Sequence, residues 1–167
     1  MKYEIVVFKC KSHWFGAVFS EFGLYTLTFP YSTEQLATEQ LAHEGFLWTT
    51  KVAKATILSE ELERFYSGEK LNFSVPIDWN DYTDFQRRVL QFTAAIPHGA
   101  VLTYGAVARG IGNPKACRAV GQALHINRTP IVVPCHRVLA LGNKLGGFGG
   151  GPAQKCALLE LEGITFG

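Results

Sequence analysis

Near residues 75 to 82, "VPIDWNDY", the hydrophobic pattern of the chain changes period. A single sheet or a single helical bundle cannot accommodate that change. Upstream, "YEIVVF", "WFGAVF" and "GLYTLTF" are short runs rich in β-branched and aromatic residues, separated by polar or glycine breaks. They read as a small antiparallel sheet. Two helical stretches follow, around residues 33 to 43 and 50 to 66, the second stopped by Ser67 and Gly68. Downstream, helical spacing takes over. The expectation is therefore an α/β N-terminal domain, residues 1 to 78, followed by a mostly α C-terminal domain, residues 79 to 167. With 167 residues, 47% of them hydrophobic, the chain can bury a core in each.

The charges divide along the same line. Residues 1 to 100 hold 9 Lys+Arg against 12 Asp+Glu, and residues 101 to 167 hold 7 against 2. No acidic residue occurs between Phe85 and Leu159, while Arg87, Arg88, Arg109, Lys115, Arg118, Arg128, Arg137, Lys144 and Lys155 all fall there. A merely solvated surface mixes both signs. A long basic segment without carboxylates points to a polyanion, most simply nucleic acid, although an acidic partner within the chain would also answer it. The N-terminal half offers no motif, and support is its expected role. "MKYEIVVFKC" lacks the apolar core of a signal peptide, and no run approaches a membrane span, so the expected location is the cytoplasm. Cys10, Cys117, Cys135 and Cys156 lack CxxC pairing and read as free thiols. Cys10 with His13 falls short of the four ligands of structural zinc. Neither a metal nor another cofactor is expected.

The basic half has readable punctuation. Thr83 and Gln86 form a capping-box pattern ahead of Phe85, Val89, Phe92 and Ile96, which predicts a helix to about Pro97. "GAVLTYGAVARGIGNPKACRAVGQALHINR" then reads as helix, turn, helix, with Thr103 as a cap, a turn over Gly110 to Pro114 and a second helix over residues 115 to 126. That second helix carries Ala116, Ala119, Gly121 and Ala123 around Arg118. Small side chains permit close approach, either to a neighbouring helix or to a DNA groove with Arg118 projecting. They would suit a reader of shape or damage better than a reader of sequence. "LGNKLGGFGGGP" holds six glycines and is too far from a strand–helix phosphate motif to be a nucleotide loop. It is either a loose hairpin or a backbone that lets a base come close. A closing helix over Lys155 to Glu162 stops at Gly163.

Within "IVVPCHRVLA", Ile131 to Val133 reads as buried strand, interrupted by Pro134, Cys135, His136 and Arg137. A lone buried cysteine is usually inert. Beside a histidine that can take its proton, and near cations, it becomes a candidate nucleophile. Adjacent residues of a strand point to opposite faces, so the two cooperate only if Pro134 ends the strand and turns the chain. The histidine also needs an orienter, and Glu160 and Glu162 are the carboxylates available downstream.

"PCHRV", preceded by "RAVGQALHINRTPIVV" and followed by "GGFGGG" and "LLELEG", resembles the O6-alkylguanine-DNA alkyltransferases over residues 84 to 163. The resemblance implies a winged helix-turn-helix in the C-terminal domain. It implies a monomer, without cofactor or metal, acting on double-stranded DNA that carries O6-alkylguanine or O4-alkylthymine. Cys135 would take the alkyl group once and irreversibly. His136 would be the base acting through water, oriented by Glu162, and Tyr104 would assist departure of guanine. Arg118 would fill the gap left by a flipped nucleotide, with Lys115, Ala119, Gly121 and Arg128 on the DNA side. Asn127 would tie the helix-turn-helix to the active segment, and Val138, Phe148 and Gly149 would line the base pocket. Phe148 stands where the family usually has tyrosine, and Cys117 where proline or alanine is common. The zinc ligands of some members have no counterpart. Two other classes fit parts of the sequence: a binding protein that recognises lesions without repairing them, and a cysteine hydrolase.

Overall fold

The computed structural model describes residues 3 to 46 and 54 to 165. Two compact units emerge, Met1–Trp79 and Asn80–Gly167.

The first unit is built on a three-stranded antiparallel sheet of β1 (Glu4–Cys10), β2 (His13–Ser20) and β3 (Gly23–Leu27), with β2 in the centre. β1 and β2 join through a two-residue turn in which Lys11 takes a φ of 54° and Cys10 pairs with His13. Because helices cover the sheet, β2 is buried continuously from Phe15 to Ser20 and does not alternate. α1 (Glu34–His43), capped by Thr33 Oγ1 accepting from Leu36 N, lays Leu41 against Gly16. A Cβ at Gly16 would sit 2.6 Å from Leu41 Cδ1, so glycine is what allows this close approach. α2 (Lys54–Tyr66) contributes Leu58, Leu62 and Phe65, all fully buried. The expected start of that helix at residue 50 lies outside the described residues.

The second unit opens with α3 (Asp84–Ala94), whose N-terminus carries the reciprocal capping box between Thr83 and Gln86. It ends three residues short of the expected Pro97, because the residue before a proline is driven out of helical geometry. α4 (Tyr104–Gly110) and α5 (Cys117–His125) form the helix-turn-helix. α5 starts two residues later than the sequence suggests, since Asn113 and Pro114 hold a turn closed by Ala116 N donating to Asn113 O, and Lys115 lies in that turn. Gly110 ends α4 where any Cβ would strike the Phe92 ring of α3, at 2.2 Å. α3, α4 and α5 pack on one another.

The segment Ile131 to Val133 corrects the sequence reading. It is buried as expected but is a turn, with Ile131 at a φ of 72°. Pro130 and Pro134 bracket it, and neither has the N–H that a strand ladder requires. After Pro134 comes a single 3-10 turn over Cys135–Arg137, then β5 (Val138–Leu139), which pairs in parallel with β4 (Leu102–Thr103). An antiparallel bridge between Ala140 and Lys144 forms the wing. α6 (Pro152–Leu161) begins three residues before the expected Lys155, with Pro152 at its favoured first position, and Glu162 caps its C-terminus.

Candidate active site

The short β4–β5 pairing brings the functional residues together. Leu102 and Thr103 fix the start of α4, with Thr103 Oγ1 accepting from Ala106 N at 3.1 Å, so Tyr104 sits on the first helical residue. Val138 and Leu139 hold the other strand, directly after Cys135, His136 and Arg137. At Cys135–Arg137 the chain makes a 3-10 turn where the sequence suggested an extended run, so strict strand alternation does not govern where Cys135 and His136 point.

Cys135 is 9% exposed. Its thiol lies at the floor of a cleft of about 70 Å³ lined by Tyr104, Gly121, Leu124, His125, Gly147, Phe148 and Gly149. Asn127 stands behind it. The Asn127 amide donates to Cys135 Sγ at 3.2 Å and to Val133 O at 2.9 Å, while its carbonyl accepts from Thr129 N at 3.0 Å. One side chain thus ties the end of α5 to the turn at Ile131 and to the thiol. Burial pushes the Cys135 thiol above its ordinary range, against the lowering influence of the Asn127 bond, the charge of Lys155 and the backbone N–H groups of Cys135 and His136.

His136 is fully buried and donates Nε2–H to Glu162 Oε1 at 2.7 Å. Burial lowers its pKa below 6.5, more than the Glu162 contact raises it, so the imidazole is neutral at pH 7 with its lone pair on Nδ1. The Glu162 carboxylate also accepts from Arg137 Nε at 3.0 and 3.1 Å, from Arg137 Nη2 at 2.9 Å and from Gly99 N at 2.9 Å. Burial alone would raise its pKa, but the bonds from His136 and Arg137 outweigh it and hold the group at about 2. Arg137 in turn donates Nη1 to Ile96 O at 2.6 Å. The orienter is Glu162, and the other candidate, Glu160, lies on the outer side near Cys156.

Tyr104 donates its hydroxyl to Gly147 O at 3.3 Å, and burial raises its pKa. The glycine segment closes tightly over this ring: a Cβ on Gly146, whose φ is 70°, would lie 2.9 Å from the Tyr104 hydroxyl oxygen. Lys155 rises from α6 beneath the same segment, fully buried.

The sequence reading needs three adjustments here. Gly121 lines the cleft beside Tyr104, in addition to lying on α5. Val138 is fully buried and absent from the cleft lining; its carbonyl supports Lys155 from behind. Arg128 is engaged by its own chain: Nη2 donates to Asn80 O at 2.6 Å, and the guanidinium lies 4.1 Å from the Tyr82 ring centroid. Arg88, Arg109, Lys115, Arg118 and Lys144 are exposed, with Ala119 half-buried on the same helix as Arg118. Leu124, His125 and Lys155 were missed. Leu124 and His125 follow Gly121 by three and four positions, which places them on its helix face. Lys155 precedes the buried Leu158 and Leu159 by the same spacing. Among the described residues no group of three or more His, Cys, Asp or Glu could hold a metal, and no helix there is long and apolar enough to cross a membrane.

Residues 84–164 match the family model described as "6-O-methylguanine DNA methyltransferase, DNA binding domain". A methylated-DNA–protein-cysteine methyltransferase of Mycobacterium tuberculosis is 44% identical over 115 residues, 69% of each chain. The crystal structure of the M. tuberculosis O6-methylguanine methyltransferase superposes with a TM-score of 0.78 at 33% identity, covering 96% of this chain and 93% of that one. The structure of the M. tuberculosis OGT in complex with DNA gives a TM-score of 0.77 at 34% identity over 96% and 91%. With the thiol, the histidine–carboxylate pair and the helix-turn-helix in one unit, and relatives that match across both, the chain belongs to the methylated-DNA–protein-cysteine methyltransferase family.

Proposed function

We propose that this protein repairs alkylated DNA by moving the alkyl group of O6-alkylguanine, or of O4-alkylthymine, from duplex DNA onto Cys135, once per chain. The observation that carries this reading is the position of Cys135: at the floor of a cleft, held by Asn127, with a neutral His136 braced by Glu162 behind it. The thiolate is the reactive species, and burial disfavours it at rest. His136 Nδ1 takes the thiol proton through water, and the Glu162 carboxylate stabilises the imidazolium that forms. The sulfur attacks the alkyl carbon; the S–C bond forms as the C–O6 bond breaks. The electron pair passes into the purine, which takes a proton from Tyr104. Exchange with solvent returns the His136 proton to Tyr104, so no net charge is left. The thioether has no route back, so the chain is spent.

Duplex DNA lies against the exposed cations Arg88, Arg109, Lys115, Arg118 and Lys144. Arg118, one residue into α5, fills the place of the extruded nucleotide. Ala119 and Gly121 let the backbone approach, and Phe148 with Gly149 borders the base. The protein works as a monomer in the cytoplasm. Incubation with a duplex containing O6-methylguanine, followed by intact-mass and peptide mapping, tests the proposal. It expects one methyl per chain, on Cys135, with no second turnover. Binding without transfer would leave a lesion-binding protein, and multiple turnovers would indicate a hydrolase.

A further inference from the structure

The peptide group that joins Asn127 to Arg128 is pinned by a residue that the reaction above does not use. On the helix side, Asn127 N donates back to Leu124 O at 3.2 Å. On the other side, Arg128 N lies beyond α5 and donates to the hydroxyl oxygen of Tyr82, 46 residues earlier, at 3.0 Å. Tyr82 is buried. The Arg128 side chain folds back over the same residue. Its guanidinium lies 4.1 Å from the Tyr82 ring centroid, Nη2 donates to Asn80 O at 2.6 Å, and Nη1 stands 3.9 Å from Asp81 Oδ2. Asp81 makes this turn with a φ of 63°, a left-handed conformation that aspartate tolerates better than most residues. Residues 80 to 82 thus grip Arg128 by its backbone and its side chain together, directly beside the asparagine that holds the thiol.

We infer that Tyr82 and Arg128 are positioning residues for alkyl transfer: they fix the peptide that follows Asn127, and through Asn127 they fix the hydrogen bond to the Cys135 sulfur. The arrangement leaves Asn127 little slack. Its amide nitrogen serves both Cys135 Sγ at 3.2 Å and Val133 O at 2.9 Å, while its carbonyl accepts from Thr129 N at 3.0 Å and from Thr129 Oγ1 at 3.4 Å. A hydrogen bond weakens steeply as its angle is lost, so a small rotation of the 127–128 peptide takes the donor off the sulfur. A donor to the charged form favours that form. The thiol is protonated at rest, and the Asn127 amide acts on the thiolate as it forms, against the burial that opposes ionisation. Without the Tyr82 hydroxyl, Arg128 N loses its acceptor; without the guanidinium, the turn at residues 80 to 82 loses its hold on the loop. Either loss reaches Cys135 without changing a group that touches the alkyl carbon. The inference rests on Cys135 as the reacting thiol but not on DNA as the source of the alkyl group.

The test therefore uses iodoacetamide in place of DNA. The rate of Cys135 modification across pH, resolved from Cys10, Cys117 and Cys156 by peptide mapping, reports how readily the thiol ionises. Tyr104 from α4, the adjoining His136 and Lys155 from α6 are the titratable groups around it, and the variants leave all three in place. Tyr82→Phe keeps the ring under Arg128 and removes only the acceptor; Arg128→Leu keeps the backbone N–H and removes the guanidinium. Each should shift the pH–rate profile upward by about half a unit, a roughly threefold slower reaction at neutral pH. Arg64→Met, which breaks an exposed ion pair with Glu69, should leave the profile in place. A purely structural clasp changes the rate by one factor at every pH, so unshifted profiles in the two folded variants overturn the inference. Tyr82→Phe in an Asn127→Ala background gives a second measurement: the shift should vanish there, and a shift of equal size without Asn127 overturns the route through it. On a duplex containing O6-methylguanine, both variants should bind within about twofold of the wild type and transfer about threefold more slowly at saturating DNA. Weaker binding at an unchanged saturated rate would make Arg128 a DNA contact and overturn its positioning role. If the profiles shift as expected and the wild type still fails to repair the duplex, the inference stands and the fault lies with the proposed substrate.

Discussion

Replacing Glu162 by glutamine should expose the electrostatic centre of the second unit, because a single carboxylate there answers His136, Arg137 and the Gly99 amide. Gln keeps the shape and some hydrogen bonds but leaves the buried Arg137 without its anion. Breaking a buried ion pair from one side costs about 3–5 kcal/mol, a large part of a typical 5–15 kcal/mol total. The sign of the pH dependence follows from the depressed pKa. Glu162 falls from 4.5 to about 2 on folding, so its stabilisation is fully present above pH 4.5 and is lost as pH drops toward 2. The whole window corresponds to about 3 kcal/mol, and the part between pH 4.5 and 3 to about 2 kcal/mol. His136 adds to the wild-type slope in the same direction: its folded pKa lies below 6.5, so acid favours the unfolded chain from there downward. Urea denaturation of both proteins from pH 7 to 3 reads the difference. It should be about 3–5 kcal/mol at pH 7 and narrow by about 2 kcal/mol at pH 3. A difference that stays constant to pH 3 would show that Glu162 is not held ionised by these partners.

Cys135→Ser should abolish alkyl transfer and leave DNA affinity within about twofold, because a hydroxyl does not ionise near neutral pH as a thiol does; gel-shift and mass measurements on the same samples check both halves. Arg118→Ala should slow repair in duplex DNA at least tenfold more than reaction with free O6-benzylguanine, since only the duplex requires extrusion; equal losses would assign Arg118 to the fold. Alkylated protein should melt below the unmodified one. Overpacking the 9%-exposed thiol site costs about 1–3 kcal/mol, or roughly 2–12 °C for a chain of this size, with benzyl worse than methyl; calorimetry showing equal or higher midpoints would mean the cleft accepts the adduct without strain.

What the sequence revealed, and what it hid, follows the range of the interactions involved. The Thr83–Gln86 box and the two helices around Gly112 depend on neighbours three or four residues away, so periodicity and capping chemistry locate them. Pro134 as the stop before Cys135 is likewise local. The run Ile131 to Val133 misled because its apolarity reports burial, whereas strand formation depends on ladder partners that Pro130 and Pro134 deny. The nine cations of the acid-free block overstated the exposed charge for the same reason. Arg137 and Lys155 are fully or almost fully buried, and Arg128 reaches back to Asn80 and Tyr82; none of those contacts leaves a mark in composition.

The site itself joins residues far apart in the chain. Gly99 and Tyr104 come from before and within α4, Asn127 from the end of α5, Cys135 to Arg137 from the 3-10 turn, and Lys155 and Glu162 from α6. A two-residue parallel pairing, Leu102–Thr103 with Val138–Leu139, sets the first and third of these side by side, and it is too short to be visible as strands. Only resemblance to a family could assemble that set from sequence, and it supplied the residues the family uses for chemistry while passing over Lys155. The physical signal for Lys155 was present nonetheless: a single lysine on the apolar face of α6, in register with Leu158 and Leu159. A charge on a buried helix face needs partners, and here they are the backbone carbonyls of Val138, Leu145 and Gly147, which no sequence pattern announces.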